Sequence, residues 1–271
     1  MKRGANLRKK VLLSFDVEEF DLPREHGVGI TLEEGVKISS QGLSRIMKVL
    51  SKTGVKATFF VTGNFASENP EAVKKMVKGG HEVACHGVDH FMPQASDLAR
   101  SREIVEKVAG TPVFGYRAPR MQKIDYKELS KLGYLYDSSV NPTWIPGRYN
   151  NRKVPRRPYL TDDWVWEIPT SVATGMRVPL FWLTLHLFPV KAYVGFAKTS
   201  LRETGYFATY FHPWEFADLP KEGVPGYIRK NSGEVFAKRL LKVIEALKKD
   251  DVKFVGYGEM TKLMDEKKVK G

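Results

Sequence analysis

The sequence predicts an α/β protein built on a parallel sheet, and three observations carry that expectation. Short apolar runs alternate with segments of helical period along nearly the whole chain, as repeated strand–helix units do. A chain of 271 residues with 42% hydrophobic content is long enough to bury one large core. Asp16, Glu18, His86, Arg117, Asp137 and His212 each fall at or just after the C-terminal end of an expected strand, the edge where parallel α/β folds place their chemistry.

Residues 11–15 form an apolar run that reads as a buried strand ending in a carboxylate cluster, Asp16, Glu18 and Glu19. Leu43, Ile46, Met47 and Leu50 recur at helical spacing, Gly54 is a stop signal, and 57–61 is the next strand. Pro70 opens a helix that Gly79 and Gly80 end before a strand over 82–85. A helix over 97–108 stops at Gly110 and leads to a strand over 113–116. A helix over 125–132 then leads to a strand over 134–136. Past an interruption come a strand over 207–211, a helix over 234–249 and a strand over 254–257. Periodicity alone leaves two architectures open, a barrel or a doubly wound layer.

The interruption, 141–163, is rich in Pro, Gly and Arg and shows no apolar period, so it reads as an irregular basic loop within a single domain over 1–271. Long irregular segments of this kind serve as lids or binding loops. It carries Arg148, Arg152, Lys153, Arg156 and Arg157 among Trp144, Tyr149 and Tyr159. Residues 178–190 are apolar nearly all round but too short to span a bilayer, which leaves a buried segment or a membrane-facing surface.

A net charge of +13 favours anionic partners, and the basic residues concentrate at the ends, over 1–10 and 267–270. No nucleic-acid motif accompanies them, so nucleic acid is not an expected partner. The single cysteine, Cys85, cannot form an intramolecular disulfide and is expected to be a small buried hydrophobe on the strand face opposite His86. The lack of an apolar stretch before Val11 gives the expectation of a cytoplasmic protein, compatible with peripheral membrane association.

His86 and His90, four residues apart, can close on one metal ion from a single turn or tight loop. The carboxylates at the end of the first strand offer a third ligand, and two His plus one carboxylate with an open position is the ligand set of a hydrolytic metal site. An isolated His-x-x-x-His is common, but here it stands among further motifs in order: Phe15-Asp16-Val17-Glu18, Ala57-Thr58-Phe59-Phe60-Val61, His86-Gly87-Val88-Asp89-His90, Gly115-Tyr116-Arg117-Ala118-Pro119, Tyr136-Asp137-Ser138-Ser139 and His212-Pro213-Trp214-Glu215. Together they resemble the polysaccharide deacetylase family (NodB homology domain, carbohydrate esterase family 4) over roughly residues 10–260.

The resemblance implies a distorted, partly open (β/α) barrel of about seven strands. It also implies a metal-dependent amide hydrolase that removes N-acetyl groups from a sugar, whether polysaccharide, oligosaccharide or lipid-linked precursor. One divalent ion, zinc or a similar borderline ion, would be held by Glu18, His86 and His90. Asp16 would be the base, oriented by Arg117, and His212 the acid, with Pro119, Trp144 and Trp214 as substrate contacts. Most family members carry adjacent aspartates where this chain has Asp16-Val17-Glu18-Glu19, so Asp16 and Glu19 stay open as alternative ligands. Two other functions are compatible with the motifs: an allantoinase-like cyclic-amide hydrolase and an inactive carbohydrate-binding scaffold. The basic loop and the apolar run together favour a lipid- or phosphate-bearing amino sugar at a membrane surface.

Overall fold

A computed structural model of the chain describes residues 9–94 and 96–270; the basic stretch over 1–8 lies outside the described residues. The first half runs β1 (Lys9–Val17), α1 (Leu22–Glu25), α2 (Leu32–Thr53), β2 (Thr58–Val61), α3 (Gly63–Glu68), α4 (Pro70–Lys78), β3 (Glu82–Cys85), α5 (Asp97–Ala109), β4 (Gly115–Tyr116), α6 (Tyr126–Lys131) and β5 (Tyr136–Asp137). Four short strands follow, β6 (Trp144–Ile145), β7 (Tyr149–Asn150), β8 (Tyr159–Leu160) and β9 (Trp166–Glu167). The chain ends with α7 (Trp182–Leu187), α8 (Val190–Thr204), β10 (Tyr206–Phe211), α9 (Gly226–Arg229), α10 (Glu234–Lys248), β11 (Val252–Phe254) and α11 (Tyr257–Lys270).

Seven parallel strands run in the order β10-β1-β2-β3-β4-β5-β9, with β8 antiparallel on the β9 edge and β11 beside the start of β1. The sheet curls until the chain just past β9 meets β10, where Ser171 N–H donates to the Ala208 carbonyl at 2.9 Å. Side chains alternate across it as strand geometry requires. Val11, Leu13, Phe15 and Val17 belong to the core that includes the helices, whereas Leu12, Phe60, Ala84, Tyr136 and Tyr257 form a second core cluster inside the curl. Cys85 lies in the outer core, and burial pushes its thiol up to about 12, the behaviour of an inert hydrophobe.

Local signals explain the longer elements. Thr31 caps α2 in a reciprocal box with Glu34, and Gly54 ends it in the left-handed conformation at φ 68°. Thr62 and Asn69 cap α3 and α4 through the Phe65 and Ala72 N–H groups. The structure departs from the sequence expectation in two places. The segment 141–163 is not irregular throughout: β6 and β7 form a hairpin around Gly147 (φ 78°), and β8 returns on β9 through a turn with Trp164 at φ 63°. Two-residue strands carry no period to read. Tyr257 opens α11 instead of ending a strand, and its ring enters the inner cluster.

Candidate metal centre and catalytic cleft

The strand ends converge because β1, β2, β3 and β4 are parallel neighbours in close register. Asp16 pairs with Phe60, Phe60 with Ala84, and Cys85 with Tyr116, which brings the residues just past each strand to one edge. Asp16 and Glu18, two residues apart, share the inner face. His86 follows β3 directly, and the chain then bends through Gly87 at φ 71°, where a Cβ would stand 2.8 Å from Pro119 Cγ. The Glu19 carboxylate accepts from the His90 N–H at 2.9 Å and from Thr62 Oγ1 at 2.7 Å, so it fastens the loop that carries His90.

Glu18, His86 and His90 offer ligand atoms that all lie within 4.8 Å of one another. His86 Nε2 is 3.4 Å and His90 Nε2 3.1 Å from Glu18 Oε2. Ligand atoms about 2.0–2.1 Å from a tetrahedral ion stand about 3.3 Å apart, so the spacing fits such an ion. Glu18 Oε2 and His86 Nε2 are buried without a hydrogen-bond partner, whereas the ring atoms facing away are satisfied. His86 Nδ1 donates to the Arg117 carbonyl at 2.8 Å, and His90 Nδ1 to Asp21 Oδ2 at 2.7 Å. Each bond leaves the Nε2 lone pair free, the arrangement typical of metal-ligating imidazoles. Glu18 Oε1 accepts from Trp214 Nε1 at 3.0 Å. Burial pushes the Glu18 carboxyl up to about 8 despite His90, the state of a buried acid that a bound cation would ionise. The donor set and its orphaned atoms therefore fit a divalent ion, with Glu18 as the carboxylate ligand, Glu19 tied to the loop and Asp16 tied elsewhere.

Asp16 lies beside this group. Arg117 Nη1 donates to Asp16 Oδ1 at 2.6 Å and to Ser14 Oγ at 3.0 Å, while its other nitrogens bond Ser138 and the Tyr257 hydroxyl. The guanidinium is fully buried over the Phe60 ring, 4.0 Å from its centroid. Burial alone would raise the Asp16 carboxyl; Arg117, His86 and His212 outweigh it and hold Asp16 below the usual carboxylate range.

His212 directly follows β10 and shares the same cleft, of about 410 Å³. Its Nδ1 meets Glu215 Oε1 at 2.7 Å, and its ring stacks on Trp214 with centroids 5.1 Å apart. Burial pushes the imidazole down to about 3 and the Glu215 carboxyl well up. With Glu215 protonated, its hydroxyl donates to Nδ1 and the ring proton sits on Nε2.

Two expected substrate contacts lie elsewhere. Trp144 is 52% exposed on the hairpin, with Arg152 over its ring, and is not part of the cleft lining. Pro119 packs under Gly87 and shapes the loop. Trp214 does line the cleft, where it also holds Glu18. Asp137 is buried against Ser139, away from the metal ligands. The loop arginines do not converge: Arg156 and Arg157 engage Glu203 on the far side of the barrel. Within the apolar run, Phe181, Trp182 and Leu183 line the cleft, and Leu187 and Phe188 are exposed. Sequence reasoning missed Asp21 and this aromatic wall; neither belongs to a motif with fixed spacing.

Residues 21–136 match the polysaccharide deacetylase family model. The chain is 31% identical over 118 residues to a peptidoglycan deacetylase of Helicobacter pylori, a match covering 40% of each chain. Matches to the first curated relatives reach less than half of each relative's length. Among solved structures, a candidate polysaccharide deacetylase of Mycobacterium smegmatis superposes with a TM-score of 0.68 at 22% identity, covering 99% of this chain and 94% of that one. A candidate polysaccharide deacetylase of Pseudomonas aeruginosa gives 0.63 at 19% identity, covering 93% and 89%. These likenesses bear on the fold, a curled (β/α) barrel.

Proposed function

We propose that this chain, a member of the polysaccharide deacetylase family, is a metal-dependent hydrolase that removes the N-acetyl group of an amino sugar in a glycan. The observation that carries the reading is the meeting, in one cleft, of a candidate metal-ligand triad with orphaned donor atoms, the Asp16 carboxylate paired to Arg117, and the His212 imidazole bonded through Nδ1 to Glu215. A divalent ion on Glu18, His86 and His90, zinc or a similar borderline ion, would supply water acidified toward neutral pH and polarise the acyl oxygen.

The chain's own residues supply the rest. Asp16, kept ionised by Arg117, accepts the proton of the attacking water as its oxygen bonds to the acyl carbon. His212 Nε2 gives its proton to the nitrogen as the carbon–nitrogen bond breaks, releasing acetate and the amine, and Glu215 re-protonates the ring through Nδ1. Trp182 and Trp214 shield the imidazole from water, which sustains its low basicity. An inactive binding scaffold would need neither the Asp16–Arg117 pair nor the His212–Glu215 pair. A lipid- or phosphate-bearing amino sugar is the finer reading; Arg148 and the Phe181–Trp182 wall at the cleft support it.

Acetate release from N-acetylated chitooligosaccharides and peptidoglycan fragments tests the reading. Wild-type protein loaded with metal should release acetate, and Asp16→Asn should keep its metal while losing about 10²–10⁴-fold in rate. Release from none of these glycans by the metal-loaded protein, or undiminished release by Asp16→Asn, overturns it.

A further inference from the structure

The catalytic cleft continues sideways into a second cleft of about 710 Å³. Arg120, Met121, Arg148 and Tyr149 line both. The hydrolytic steps derived above use no residue that lines only the second cleft. Arg120 and Met121 form part of their shared wall with two successive left-handed backbones, φ 57° and 54°, which side-chain-bearing residues adopt only where their surroundings hold them. What holds Arg120 is a bond to Glu25 Oε1 at 2.6 Å, with Asp21 Oδ2 at 3.4 Å.

Charge is distributed unevenly here. Arg120 is spent on Glu25, Arg152 on Asn150 and the Trp144 ring, and Arg156 on Glu203. Among the described residues, the Arg148 guanidinium and the Lys123 ammonium make no hydrogen bond or ion pair, and both are exposed and line the second cleft. The floor does not cancel them. Asp137 there is occupied by the Ser139 N–H and hydroxyl, and burial pushes both Asp137 and its neighbour Glu167 above the usual carboxylate range. Tyr149 and Tyr159 give the cleft polar aromatic walls suited to a sugar ring.

We propose that the second cleft is a subsite for an acidic substituent, a carboxylate or a phosphate, carried on the sugar unit next to the one that loses its acetyl group. Arg148 on the shared wall and Lys123 farther out receive the anion through charge-assisted contacts. The subsite rests on the deacetylase reading of the adjoining cleft, and it makes the enzyme selective for acidic glycans over neutral ones.

The test compares three N-acetylated disaccharides that differ only in a hydroxyl, a carboxylate or a phosphate on the unit beside the N-acetyl sugar. Calorimetric affinity and acetate release are measured on the metal-loaded protein. At least one acidic compound should bind about tenfold more tightly than the neutral one at low salt, and the gap should narrow as salt rises. Arg148→Gln and Lys123→Gln should each reduce the gap at least about threefold, and Arg148→Lys should preserve most of it. Equal affinity for all three, no binding of the acidic compounds, or a preference that both Gln variants leave intact overturns the subsite. Failure of the deacetylase reading looks different: no acetate from any of the three, with the binding preference intact.

Discussion

Asp21 shows how much of the candidate metal centre rests on a residue that supplies no ligand atom itself. Its Oδ2 accepts a hydrogen bond from His90 Nδ1 at 2.7 Å and stands 3.4 Å from Arg120, so it fixes both the tautomer and the orientation of His90. Loss of such a partner typically costs about 10–100-fold in metal affinity. Asp21→Asn should therefore weaken metal binding by that factor in a chelator-competition titration; affinity equal to wild type would mean that His90 is oriented by packing alone. Residue type at a strand end pointed to the positions of Asp16, Glu18, His86, Arg117 and His212, and the four-residue spacing added His90; the structure brings these six side chains together at one cleft. Asp21 was not legible, because it lies in irregular chain past β1 and its partner is 69 residues away. Trp144 misled because aromatic character says nothing about which side of a hairpin a ring occupies.

At the scale of elements, α2 sets the position of His212. Gly42, inside that helix, faces the turn Pro213–Phe216, and a Cβ there would stand 1.7 Å from the Pro213 carbonyl oxygen and 3.1 Å from Ala217 N. Gly42→Ala gains about 1 kcal/mol of helix propensity. It must also force helix and turn apart, at about 1–3 kcal/mol or more. Urea unfolding should show a net loss of stability, and acetate release should fall as His212 moves, with metal content unchanged. A stabilised, fully active variant would show that the turn yields freely. α2, α4, α5 and α10 could be read from period, caps and glycine stops. β4 and β5 were read as strands over 113–116 and 134–136, but the two-residue strands β6 to β9 could not be read, since their pairing is imposed by neighbouring strands and leaves no local pattern.

For the whole molecule, the alternation of apolar runs and helical periods revealed the α/β class, but only the family resemblance distinguished a partly open barrel from a doubly wound layer. Closure depends on long-range pairing, such as Ser171 with Ala208, that no window of sequence contains. The same closure buries Glu167, and burial together with Asp137 pushes its carboxyl well above the usual carboxylate range. Sign follows from proton count: the folded state holds a proton that the unfolded state has lost, so stability falls as pH rises above the unfolded value. His81 and His186, lowered to about 4 and 3 by burial, oppose this below pH about 6.5 and are neutral in both states above it. Above pH about 6.5, metal-loaded wild type should lose stability with rising pH, and Glu167→Gln should flatten the slope. An identical slope in the variant would mean that Glu167 is ionised in the fold.

Whether the Glu18, His86 and His90 group makes the chain a metal-dependent N-deacetylase is read from acetate release during metal titration of the chelator-stripped protein. Release should be negligible without metal, rise with added zinc and saturate at one equivalent, and His86→Ala and His90→Ala should show no such saturable rise. Full release by stripped protein, or a titration that the histidine variants reproduce, would contradict the account.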